Sequence, residues 1–164
     1  MTVPDRIEKE IMLRAPIERV FKAISRSEEF GVWFGVAFDG PFVAGQRLTG
    51  KMRPTKVDPE VAKLQESFEG MPFDLTVERI EPPHLFSFLW HPYAIEPGAD
   101  YSKEPFTLVT FELSEVDGGT RLKITESGFD KVPLERRAKA FTENEGGWEH
   151  QSKLVKKYLE AYAA

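Results

Sequence analysis

The chain has 164 residues, a hydrophobic content of 41%, a charged content of 30% and a formal net charge of −5, the balance of a soluble globular protein. With no basic excess, it lacks the face that a nucleic acid or an anionic membrane calls for. With no cysteine, it has no disulfide, thiolate nucleophile or cysteine metal site.

The first segment, "MTVPDRIEKEIML", is charged and has no signal-peptide run. No apolar stretch reaches membrane-spanning length, so a cytoplasmic location is expected. No repeat or linker divides the chain, and one domain over residues 1–164 is expected. "RIEKEIMLR" alternates as a first strand. "APIERVFKAI" follows as a helix, with Pro16 in its first turn and Ile17, Val20, Phe21 and Ile24 on one face. "SEEFGVWFG" reads as a short second helix, Gly40, Pro41 and Gly45 mark turns, and "QRLTGKMR" reads as a strand.

"VDPEVAKLQESFEGMP" has the marks of an inserted helix. Asp58 caps it, Pro59 opens it, Gly70 ends it, and Val61, Leu64 and Phe68 form its apolar stripe. "FDLTVERI" and "HLFSFLWH" form an antiparallel pair. A proline- and tyrosine-rich loop follows, and then "FTLVTFEL" and "TRLKITES" are joined by the hairpin signal "SEVDGG". From about Pro133 the pattern is one long helix. Consecutive strands with separate helices give an α+β class.

Alternation places Phe73, Leu75 and Val77, then Phe86, Phe88 and Trp90, then Val109, Phe111 and Leu113, then Leu122, Ile124 and Glu126 on inward faces. Along the last helix Leu134, Phe141, Trp148, Val155 and Tyr162 recur every seven residues, with Ala138, Glu145, Ser152 and Leu159 between them. The phase is kept across Gly146 and Gly147, which predicts a continuous helix. Two glycines forgo about 2 kcal/mol of helix propensity. A bulky group packed closely on Gly147 is the expected reason.

Several motifs carry no function. "GQRLTGKM" has phosphate-loop spacing up to Gly50 and Lys51, but Met52 replaces the serine or threonine and no helix follows. His84, His91 and His150 are not at metal-ligand spacing, and no nucleophile elbow or dinucleotide fingerprint occurs. Neither a metal nor another cofactor is expected. Glu126 and Glu145 are the carboxylates on inward faces. Either they sit at the core rim, solvated or paired, or they line a cavity as ligand contacts or as a catalytic acid or base.

In order along the chain, "LRAPIERVFKAISRSEEFGVWFG", "FDGPFVAGQRLTGKM", "VERIEPPHLFSFLWHP", "GGTRLKITESGF" and "NEGGWEHQSKLVKKYL" resemble the START-like (SRPBCC) superfamily. Within it they resemble the family named for the activator of the heat-shock chaperone ATPase. The resemblance implies a helix-grip, birch-pollen-allergen-like fold, in which an antiparallel sheet wraps a C-terminal helix around an apolar cavity. The superfamily includes lipid and hormone binders, polyketide cyclases and hydrolases. The founder's chaperone role also relies on a separate N-terminal domain, for which this length leaves no room, so that role is not carried over.

The leading expectation is a binder of a small hydrophobic, lipid- or polyketide-like molecule. Trp33, Phe73, Phe88, Trp90, Tyr93, Phe111 and Trp148 would form walls, and Glu126, Glu145 and Ser152 the polar end. The alternatives are a cyclase- or hydrolase-type enzyme using Glu145 or Glu126 as general base, and a co-chaperone-like interaction module. No nucleic-acid or membrane partner is expected, and a homodimer is left open. The segments from Pro54 to Met71 and from Pro92 to Pro105, with Tyr93 and Tyr101, are expected to cover the cavity mouth.

Overall fold

The computed structural model describes residues 6–91 and 105–162. The elements follow the order β1 (Arg6–Leu13), α1 (Ile17–Ser25), α2 (Ser27–Phe34), β2 (Val36–Phe38), β3 (Arg47–Met52), α3 (Pro59–Gln65), β4 (Pro72–Glu81), β5 (Leu85–Trp90), β6 (Thr107–Val116), β7 (Gly119–Ser127) and α4 (Leu134–Ala161). Seven strands make one antiparallel sheet in the order β1-β7-β6-β5-β4-β3-β2. The first strand closes on the last, so β1 and β7 are brought together from opposite ends of the chain.

Local chemistry accounts for most element ends. Pro16 precedes α1 as its N-cap rather than lying inside the first turn, and its carbonyl accepts from the Arg19 and Val20 amides. Asp58 Oδ1 accepts from the Glu60 and Val61 amides at the start of α3, as its position before Pro59 predicts. The β6–β7 hairpin turns at Asp117 and Gly118, with Gly118 at φ +84° and Val116 opposite Gly119.

Strand β2 escapes sequence reading because three residues are too few to show alternation. It runs beside α2, and a Cβ at Gly31 would fall 2.1 Å from the Val36 carbonyl oxygen. The close backbone approach that demands glycine is therefore at Gly31. Among the described residues nothing lies within 4 Å of a Cβ at Gly147 or Gly146, which overturns the expected packing on Gly147.

The core lies between one face of the sheet and helices α1, α2 and α4. Phe86, Phe88, Val109, Phe111, Leu122 and Ile124 are buried, as alternation assigns. Phe30 of α2 centres an aromatic cluster, with ring centroids 4.6 Å from Trp33, 6.2 Å from Phe88 and 6.1 Å from Phe111. Helix α4 runs unbroken through both glycines. Its buried stripe includes Phe141, Trp148, Ser152, Val155 and Leu159, but Leu134, Ala138 and Tyr162 are exposed. Leu134 and Tyr162 stand at the helix ends, beyond the sheet's cover. On α3, Leu64 is exposed and no residue is buried, so the proposed stripe of Val61, Leu64 and Phe68 is not a buried face.

Candidate functional site

Glu126 lies near the end of β7, where the strand's alternation turns it inward with Leu122 and Ile124. Its exposure is 0%. A buried carboxylate costs several kcal/mol unless hydrogen bonds replace its water. Among the described residues four side chains from three elements do so. Trp148 Nε1 of α4 donates to Oε1 at 2.8 Å, and Trp90 Nε1 of β5 donates to Oε2 at 2.8 Å. The Thr107 hydroxyl of β6 donates to Oε2. Asn144 Nδ2 of α4 reaches Oε1 at 2.9 Å and Oε2 at 3.1 Å. All four donors are neutral. The indoles and the amide nitrogen can only donate, so both carboxylate oxygens act as acceptors throughout.

The two indoles also form the walls of a cleft. Its volume is about 120 Å³, and it is lined by Phe34, Trp90, Asn144, Gly147, Trp148 and Gln151. The Trp90 and Trp148 centroids are 5.6 Å apart with planes inclined at 33°, and the Phe34 ring is 6.0 Å from one and 6.1 Å from the other. Phe73 backs this group edge-on, 6.0 Å from Trp90. Gly147 leaves the α4 side of the cleft open, since no side chain projects from it.

Gln151 Nε2 donates to the Phe34 carbonyl at the end of α2. That carbonyl also accepts from Gln65 Nε2 of α3, so side chains satisfy an oxygen that the helix end leaves free. The Gln151 Oε1 atom is buried and has no hydrogen-bond partner among the described residues. Turning the amide over would set oxygen against the Phe34 oxygen, so the observed orientation is the favourable one. Two larger depressions lie elsewhere, one of about 370 Å³ beside Arg14 and the β6–β7 turn and one of about 430 Å³ around Gly40. Neither is lined by a residue of the Glu126 network.

The structure brings together Trp90, Trp148 and Glu126 of the expected set, with Phe73 behind them. Ser152 is buried one turn beyond Trp148, but its hydroxyl donates to the Glu149 carbonyl and it does not line the cleft. Trp33, Phe88 and Phe111 belong to the packed ring cluster; Trp33 donates its Nε1 to the Ala23 carbonyl. Glu145 is exposed, which corrects its expected inward position. At about 100° per residue, Asn144 lies about 40° from Trp148 and Glu145 about 60° away on the other side. The nearer residue takes the inward place. Tyr93 and Tyr101 lie outside the described residues.

Asn144, Gln151 and Thr107 went unread. Asn144 and Gln151 stand four residues before and three after Trp148, seven apart on the tryptophan face, and that spacing is the signal that could have found them.

The oxygens of Glu126 accept from four donors already, against about four lone-pair sites, and Glu145 stands in solvent.

Comparison with known proteins agrees with this architecture. The family model described as "Activator of Hsp90 ATPase homolog 1-like protein" matches residues 14–160. A search of curated proteins gives no match. Among solved structures, a protein from Arthrobacter aurescens superposes with a TM-score of 0.71 at 18% identity, covering 97% of this chain and 88% of that one. Protein MLL2253 from Mesorhizobium loti gives 0.69 at 18% identity, covering 96% and 98%. Protein CV1439 from Chromobacterium violaceum gives 0.68 at 17% identity, covering 94% and 96%. At these identities the likeness speaks for the fold alone. No helix among the described residues is long and apolar enough to cross a membrane. With its seven antiparallel strands and long C-terminal helix in the helix-grip arrangement, the chain belongs to the Activator of Hsp90 ATPase homolog 1-like family of SRPBCC proteins.

Proposed function

We propose that the protein binds a small, largely apolar molecule in the cleft between β5, the end of α2 and α4. The observation that carries this reading is the cleft itself. Three aromatic rings wall it, Gly147 keeps it open, and a buried Gln151 oxygen in its lining has no partner among the described residues. A buried acceptor left unmade costs about 1–3 kcal/mol, and a ligand donor would recover it. Convergent polar atoms in an aromatic concavity are the usual make-up of a small-molecule site.

The inserted segment adjoins this site, because Gln65 and Gln151 donate to the same Phe34 carbonyl. Movement of α3 would therefore be felt at the cleft. Binding is favoured over catalysis because Glu126, the one buried carboxylate among the described residues, has its lone pairs committed.

The test uses an environment-sensitive apolar dye and Gly147→Leu. The added side chain enters open space and should fill the cleft without disturbing the core. We expect one dye per chain on the wild type, quenching of tryptophan fluorescence, and loss of dye binding by at least about tenfold in the variant. Equal binding by both proteins would move the ligand site elsewhere.

A further inference from the structure

We infer that the cleft selects a small organic ammonium ion, held against the faces of Trp90, Trp148 and Phe34 with an N–H directed to the Gln151 side-chain oxygen. The inference rests on the cleft being the binding site and names the chemistry of its occupant.

Three independent features converge on a cation. First, the amide orientation of Gln151 leaves an acceptor. Gln151 commits its nitrogen to the Phe34 carbonyl, and its buried oxygen is unpartnered among the described residues. Asn144, also in the lining, commits its nitrogen to Glu126. An incoming group must donate.

Second, the donors that meet the Glu126 carboxylate among the described residues carry no charge. Glu126 is fully buried and held by two indoles, a hydroxyl and an amide. In a low-dielectric interior its field acts strongly on whatever occupies the adjoining space. An anionic ligand is rejected and a cation is attracted.

Third, the walls are the right rings in the right state. Indole faces are the strongest cation–π partners among side chains. Both indole N–H groups point into the carboxylate, and a hydrogen bond to an anion pushes electron density onto the ring. Trp90 and Trp148 incline to each other at 33° with Phe34 beside both. A volume of about 120 Å³ suits an ammonium group with a few carbons, since an apolar cavity of about 150 Å³ takes up a benzene. A larger ligand would place only its ammonium end here.

Cyclopentylammonium, cyclopentanol and cyclopentanecarboxylate share one ring and differ in charge. Each is titrated into the protein while the three indole N–H resonances are followed by NMR, with Trp33, hydrogen-bonded to Ala23, as the internal control. We expect the ammonium to shift Trp90 and Trp148 but not Trp33, to bind at least about tenfold more tightly than the alcohol, and the carboxylate to leave all three unchanged. Glu126→Gln should bring the ammonium and the alcohol to within about threefold of each other. Because that change sets a donor among donors and can unfold the chain, Gln151→Leu is the second variant; it should weaken the ammonium severalfold and the alcohol, the weaker donor, less. If the alcohol matches the ammonium on the wild type, the cation inference is wrong while the cleft still binds. If neither shifts Trp90 or Trp148, the cation inference is wrong, and the dye titration then decides whether the cleft reading survives. An ammonium preference that Gln151→Leu leaves intact overturns the assigned orientation.

Discussion

Single glycines in this protein do opposite things. At Gly31 a Cβ would fall 2.1 Å from a backbone oxygen of β2, so side-chain rotation gives no relief. At Gly147 a Cβ meets open space at the edge of the cleft. Gly31→Ala should cost about 1–3 kcal/mol or more through overpacking. Gly147→Ala should stabilise by up to about 1 kcal/mol through helix propensity, while narrowing the cleft. Urea denaturation of the two variants checks both signs. A stabilised Gly31→Ala protein would mean that β2 does not press on α2. A destabilised Gly147→Ala protein would restore the close packing that the doubled glycine first suggested.

Elements meet at a polar junction on the opposite end of α4 from the first turn. Arg19 of α1 donates to Glu29 of α2 at 2.7 Å and to the Tyr162 carbonyl at the end of α4. Tyr158 of α4 donates its hydroxyl to Glu29 at 2.8 Å, and the Arg19 guanidinium lies 5.5 Å from the Tyr158 ring centroid. Burial, then the hydrogen bond to Glu29, pushes the Tyr158 pKa up to about 12. Folding thus favours the protonated phenol. Its contribution is complete below the ordinary tyrosine value near 10 and is lost as pH rises towards 12. Between pH 9 and 12 the wild type should lose more stability than Tyr158→Phe, which has no phenol to ionise. Parallel curves for the two proteins in denaturant titrations would show that the three helices are not coupled through this hydroxyl. The α3 insertion is held more loosely: Asp58 binds Lys157 at 2.6 Å on the surface, and none of its helical residues is buried. Surface pairs of this kind contribute little, so in hydrogen-exchange measurements the α3 amides should exchange before those of α4.

Across the whole molecule, the aromatic rings of α2, β5, β6 and α4 form one connected cluster among the described residues. Phe88 touches the Phe30, Phe86, Trp90 and Phe111 rings at centroid distances of 5.3–6.2 Å. Phe88→Ala should therefore cost about 3–5 kcal/mol, the range for a large aromatic lost from a tight core. A loss below about 1 kcal/mol in urea would mean a loose interior there, and would return Phe88 to the wall of an internal cavity. The proposed ligand space sits at the edge of this cluster, where Phe34, Trp90 and Trp148 line the cleft.

Sequence alone determined what is written locally and repeats. The period of two in β4, β6 and β7 and the seven-residue recurrence of Phe141, Trp148 and Val155 assigned the sheet face and the continuous helix, because burial of one face imposes those periods. Asp58 before Pro59, and Asp117 before Gly118, marked a cap and a turn through backbone chemistry confined to a few residues. Alternation also turned Glu126 inward. Only the tertiary structure decided what Glu126 meets there. Its donors come from residues 90, 107, 144 and 148, and a local period links Asn144 with Trp148 but neither of them with Trp90 or Thr107. The choice of Asn144 over Glu145 depended on an angular difference of about 20° around the helix, which a heptad pattern does not resolve. Whether the surplus aromatics enclose a void or fill it depends on ring-to-ring distances across α2, β5, β6 and α4. Those are set by the packing of elements far apart in the chain, which the order of residues does not carry.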